Sequence, residues 1–187
     1  MSRQFWSETL AWATADGTPV TNVTEAIVFP NIVIPANMMQ DGRVLRMTAY
    51  GRYGNVTTAV PTVTWRVRWG GVAGTVIAAS AAIVCSATAM TAALWKIELL
   101  IQVRANGATG SVFAVGEVQM TTNTAPTFGT VTNYGVPSMM ASAGLATPAA
   151  VTVDLTADTA LSLTAQWSAN NASNTLTGHI YTLEALN

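Results

Sequence analysis

Few residues in this chain have the chemistry of a catalytic or ligand-binding site. There is one histidine, His179, and one cysteine, Cys85. One imidazole and one thiol do not by themselves make a zinc centre, and a lone cysteine forms no intrachain disulfide. His179 has acid–base capability, but it stands inside an alternating run with no motif around it and reads as a packing or rim residue. Cys85 lies among Ala, Ile, Val and Ser and reads as a small buried hydrophobe. No Gly-x-Ser-x-Gly turn presents a serine for nucleophilic attack.

Two pairs remain. Asp154 and Asp158, in Val-Asp-Leu-Thr-Ala-Asp, are carboxylates at a spacing that could serve glycoside hydrolysis or hold calcium. Their surroundings favour a turn, with Asp158 forming or capping it and Asp154 in solvent. Arg66 and Arg68 alternate with Trp65, Val67 and Trp69. A basic and aromatic strand can bind single-stranded nucleic acid or sugar by stacking. Here the two residue types fall on opposite faces, so the Trp face reads as core and the Arg face as solvent or interface. There is no phosphate loop, dinucleotide fingerprint or EF-hand. The sequence therefore assigns no catalytic, cofactor-binding or metal-binding residue, and the chain reads as non-enzymatic.

The elements that carry these residues alternate with period two, the signature of half-buried strands. In 62–69, Val63, Trp65, Val67 and Trp69 share a face; in 94–104, Trp95, Ile97, Leu99, Ile101 and Val103 do; in 161–167, Leu161, Leu163, Ala165 and Trp167 do. Further strands are predicted at 26–29, 44–52, 75–79, 111–120, 151–155 and 175–183. The last slips parity near Gly178, which predicts a bulge. The Ala-rich stretch 78–93 suits a short helix or a strand with a loop. Asp16-Gly17, Asp41-Gly42, Gly70-Gly71 and Asn106-Gly107 mark turns, and 170–174 is predicted to close a hairpin. The stretch 121–150, with three prolines and no clear pattern, reads as a long connection. Residues 1–20, with Trp6 and Trp12 outside any clear strand, read as an N-terminal docking arm. Residues 21–187 then form one domain, an antiparallel β-sandwich of about eight to ten strands. A jelly roll is the first expectation. An immunoglobulin-like sandwich comes second, because the Cys…Trp…Cys arrangement is missing.

Composition bears on partners. Half of the 187 residues are apolar and only 9% are charged, with a net charge of −1. Roughly a quarter charged is usual for a soluble globular chain. So sparse a charge, with six Trp and eight Met, predicts apolar surface covered by other copies or other proteins. The eight basic residues are scattered and include one lysine, Lys96, so no nucleic-acid footprint is expected. The charge-free run 69–95 contains Gly70, Gly71, Gly74 and several Ser and Thr, which argues for strands rather than a membrane span. Residues 1–8 contain no apolar signal-peptide core.

The order of short motifs resembles a group of small structural virion proteins of tailed double-stranded-DNA bacteriophages. It is carried by Ser7-Glu8-Thr9-Leu10, Asp16-Gly17-Thr18, Ile34-Pro35-Ala36-Asn37, Gly42-Arg43-Val44-Leu45-Arg46, Gly51-Arg52, and Thr64 to Gly70. It continues through Val103-Arg104-Ala105-Asn106-Gly107, Asp154-Leu155, Trp167-Ser168, 171–174 and His179 to Asn187. The resemblance implies a non-enzymatic virion component assembled in the host bacterial cytoplasm. The first expectation is a capsid decoration (cement) protein on the outer head surface, homotrimeric, with the major capsid protein or other virion proteins as partners. The alternative is a tail or fibre module that binds a host receptor or carbohydrate, with Phe128 and Tyr134 as stacking aromatics. The resemblance brings no cofactor and no site residue.

Overall fold

A computed structural model describes residues 7–56, 60–121, 137–142 and 147–186. Among them there are thirteen strands and no helix. They are β1 (Ser7–Trp12), β2 (Ala26–Ile27), β3 (Ile32–Ile34), β4 (Val44–Asn55), β5 (Thr62–Trp69), β6 (Thr75–Ser80) and β7 (Ile83–Val84). Then follow β8 (Met90–Ala105), β9 (Gly110–Met120), β10 (Ser138–Ala141), β11 (Val151–Val153), β12 (Thr159–Trp167) and β13 (Thr175–Leu186). The count exceeds the expected eight to ten because of β1, β3, β7 and β10, which the sequence pattern does not place and which hold only two to six residues each.

All pairings are antiparallel. Strands β1-β13-β4-β8 form one sheet and β2-β12-β5-β6 the other, joined through β9 and β10. The pairs β1·β13, β2·β12, β4·β8 and β5·β6 are nested, as when one long antiparallel ribbon is rolled up. This is the order of a jelly roll. β9 and β10 run from β8 to β6 and cover the edge that those two strands would otherwise expose.

The roll corrects one expectation. Residues 168–174 join β12 to β13, yet these strands lie in different sheets and do not pair, so the segment is a crossover and no hairpin. Both strands turn apolar faces inward, and crossing lets each face the other. The stretch 78–93 holds no helix but the end of β6, β7 and the start of β8. From Ser7 on, the N-terminal segment is part of the fold. β1 pairs with β13, Ala13 and Gly17 donate to the Tyr181 and Gly178 carbonyls, and Val28 donates to Leu163 on β12. Within 121–150, β10 is ordered against β9 and β6; Trp6, Phe128 and Tyr134 lie outside the described residues.

The core is where the indoles meet. Trp65 of β5 and Trp95 of β8 face each other across the layers with ring centroids 4.6 Å apart. Phe29 packs on Tyr181 at 5.1 Å and Tyr53 on Trp167 at 6.5 Å. Each buried indole N–H must find an acceptor. Trp69 donates to the Asp154 carbonyl (2.9 Å), Trp95 to Arg52 (3.2 Å), Trp167 to Val20 (2.9 Å), and Trp65 meets the Met120 thioether at 3.5 Å. Cys85 is buried at the margin of this core, and burial pushes its thiol pKa up to about 12, so it is unreactive as a nucleophile.

Outside the second sheet, Arg66 and Arg68 do not face open solvent. Glu25, from the segment before β2, lies across them. Arg68 grips its carboxylate twice, at 2.6 and 2.7 Å, Arg66 donates at 3.0 Å and Thr164 at 2.5 Å. Burial alone would push the Glu25 pKa up; the Arg68 and Thr164 hydrogen bonds and the two guanidinium charges outweigh it and hold the carboxyl below its ordinary value.

Two outcomes follow from this packing. Trp65→Ala is expected to cost about 3–5 kcal/mol in guanidinium denaturation, whereas His179→Ala, at the surface, should stay within about 0.5 kcal/mol. Because the folded Glu25 carboxyl titrates below its ordinary value of 4.5, its contribution is complete above that pH. It is lost as pH falls through the lower folded value. Glu25→Gln should therefore cost about 1–3 kcal/mol at pH 7, and urea melts at pH 3 to 7 should show the variant and the parent converging on the acid side.

Candidate functional site

The outer face of the first sheet differs from the clamped face of the second. Strand register sets its rows. Ile180, Tyr50, Lys96 and Gln119 stand side by side across β13, β4, β8 and β9, and Arg52 and Leu94 form the next row. Alternation puts Leu45, Met47, Ala49 and Tyr53 of β4 into the core, so Tyr50 and Arg52 must point outward. Exposed apolar side chains gather here, with Leu94 at 61% and Ile180 at 57% of full exposure, and Trp12 at 63% on the adjoining edge strand.

Two adjoining clefts make this face a groove. The first, of about 730 Å³, is lined by Tyr50, Arg52, Leu94, Lys96, Gln119, His179 and Ile180, with Gly51 and Trp95 at its floor. The second, of about 500 Å³, continues past Arg52 and His179 to Thr91, Ala92, Thr175 and Thr177. Arg52 and His179 belong to both and stand at the junction. No carboxylate is among the lining residues of either cleft.

Local irregularities shape the junction. On β13 the register slips between Gly178 and Ile180 opposite β4, so His179 is the extra residue of a bulge, which re-aims a side chain. This is the parity slip that the sequence predicts. On the other side of β4, the register with β8 slips at Tyr53/Gly54, and Ala92 takes the unusual positive φ of 120°. Beneath, Gly51 is required. A Cβ there would lie 2.5 Å from the Trp95 ring and 2.0 Å from the Thr177 carbonyl oxygen. The Trp95 indole fits under the bare backbone and holds the Arg52 carbonyl.

Arg52 and Lys96 are the cations that line the groove. The Glu98 carboxylate bonds Lys96 at 3.0 Å and holds its ammonium pKa above the ordinary value. His179 Nδ1 lies 2.8 Å from Asp16 Oδ1, which leaves Nε2 without a partner among the described residues. When Nδ1 carries the proton, Nε2 of the neutral ring is an acceptor. Arg52 has no hydrogen-bond acceptor and no carboxylate partner among the described residues.

The residues weighed in the sequence are not brought together here, His179 excepted. Asp154 accepts from the Thr156 amide and hydroxyl at 2.8 and 2.6 Å in an exposed turn, and that hydroxyl and amide hold its pKa below the usual range. Asp158 accepts from the Ala36 amide at 2.8 Å. Among the described residues no three His, Cys, Asp or Glu side chains cluster as metal ligands, and no helix is long and apolar enough to cross a membrane. Sequence reasoning missed Tyr50, Arg52, Lys96 and Gln119. The signal available was the alternation in 44–52 and 94–104, which puts all but Gln119 on polar faces.

No protein-family model matches the chain, and no curated protein matches it. Among solved structures, the CBM2 module of the evolved Dit of Lactobacillus casei BL23 phage J-1 aligns over 99% of this chain and 98% of that one, at 8% identity and a TM-score of 0.37. At that score the likeness carries nothing about function, and the architecture stated above rests on the strand order itself.

Proposed function

We propose that this chain is a non-catalytic glycan-binding module of a tailed-phage virion, carried on the tail or a fibre, with the groove across β4, β8 and β13 as its binding surface. The observation that carries the reading is the groove's make-up. Exposed Tyr50, Leu94 and Ile180 offer flat apolar area, and Arg52, Lys96, Gln119 and His179 offer hydrogen-bonding groups around it. Sugars present both kinds of surface, a face of C–H groups that packs on rings and a rim of hydroxyls that needs polar partners. A groove open along its length admits a chain polymer. The virion setting is supported by the motif order of the sequence.

A second reading, the capsid decoration protein, is favoured by a separate observation. Leu100 of β8, Val115 of β9 and Met139 of β10 are exposed outside the groove. Apolar area of this kind suits broad contacts with a capsid lattice or with other copies, and weak contacts multiplied over a lattice add up. In either role a homotrimer would cover it by closed symmetry.

Retention of the purified chain on immobilised host cell-wall polysaccharide tests the first reading. Retention is expected, and Tyr50→Ala should weaken it by about tenfold with the melting curve unchanged, since removing one stacking ring costs about 1–3 kcal/mol. No retention at micromolar protein would overturn it, and density on the head in electron cryo-microscopy of the virion would favour the second. Light scattering is expected to give a trimer; a single species of 19.5 kDa would overturn the assembly.

A further inference from the structure

The groove holds the one described cation for which the fold provides no partner. Arg43 pairs with Glu8, Arg46 with Glu184, Arg66 and Arg68 with Glu25, and Lys96 with Glu98. Arg104 stacks on Phe113 at 5.1 Å. Arg52 has neither a carboxylate nor a ring among the described residues, in a chain with nine acids for eight bases. It stands where the two clefts join, between the bulge at His179 and the strained Ala92, with its backbone carbonyl fixed by Trp95.

We infer that the groove selects anionic glycans, with Arg52 as the clamp for a carboxylate or phosphate on the sugar chain and Tyr50 as the surface under the neighbouring ring. This rests on the glycan-binding reading and adds the charge of the ligand. A guanidinium is a planar fork that matches carboxylate and phosphate with two parallel hydrogen bonds. Lys96, two residues' register away, is held by Glu98, which leaves Arg52 as the free charge of the groove, and no carboxylate is among the described lining residues of either cleft. His179 Nε2, which has no partner among the described residues, is placed to hydrogen-bond a sugar hydroxyl. Net charge of the whole chain is −1, so attraction of an anion must come from this local arrangement.

Titration calorimetry with three probes tests the inference: trigalacturonate, its methyl ester, and a glycerol-phosphate oligomer. The parent should bind one or both anionic probes at least about tenfold more tightly than the neutral ester, and less so as salt rises from 20 to 200 mM, on the order of the screening expected. Arg52→Ala should lose about ten- to a hundredfold on the anionic probe and leave the ester unaffected. Arg52→Lys should lose part of it, because the charge stays and the fork goes. Arg104→Ala removes an equal charge outside the groove and should change nothing. Circular dichroism confirms that each variant is folded. The preferred anionic probe tells carboxylate from phosphate. Equal affinity for the ester and the anions, or an Arg104→Ala loss equal to that of Arg52→Ala, would overturn the anionic inference and leave glycan binding standing. No binding of any probe, together with no retention on cell-wall polysaccharide, would overturn the glycan-binding reading itself.

Discussion

The contact between Trp65 and Trp95 is the constraint on which the rest of the molecule depends. Two indoles meeting at 4.6 Å across the layers join β5 to β8 at the centre of the core. They also reach beyond the core. Trp95 extends under Gly51, where no Cβ fits, and its N–H holds the carbonyl of Arg52. The floor of the surface groove is therefore the back of the interlayer contact. The indole that binds the layers together also orients the strand from which Tyr50 and Arg52 project.

The scarcity of charge gives the two outer faces different roles. On the second sheet, Glu25, Arg66 and Arg68 neutralise one another, and Thr164 and Gln166 complete the network. That face is closed by the chain's own loop. On the first sheet Arg46 pairs with Glu184 and Lys96, at the groove, with Glu98, and exposed Tyr50, Leu94 and Ile180 stand around Arg52, which has no carboxylate partner among the described residues. An asymmetric distribution of so few charges is a stronger guide to a binding face than their total.

The rolled ribbon explains how the groove is assembled. Its walls come from β4, the β8–β9 hairpin and β13, which are far apart along the chain but adjacent because the nested pairs wrap from the middle outward. Each neighbour of β4 carries a bulge near Arg52. A bulge adds local twist and leaves one residue unpaired, and the two here flank the C-terminal half of β4, where the clefts lie.

Much of the architecture was legible in the residue pattern. Period two in 62–69, 94–104 and 161–167 placed every Trp of those runs in the core, the slip at Gly178 is the bulge, and Cys85 is buried as its neighbours imply. Alternation assigns a residue to a face because successive side chains point to opposite sides. It does not say which strand lies next to which. So the sequence alone determined the longer strands, their inner faces and the all-β class. Only the tertiary structure decided that 168–174 crosses between sheets, that Ser7–Trp12 joins β13, and that Glu25 closes over Arg66 and Arg68, 41 and 43 residues away. It likewise brought Asp16 to His179 across 163 residues and left Arg52 alone among the described cations. The physical reason is that a charge is paired or unpaired according to what the fold sets beside it, and the partners in a rolled ribbon come from its opposite ends.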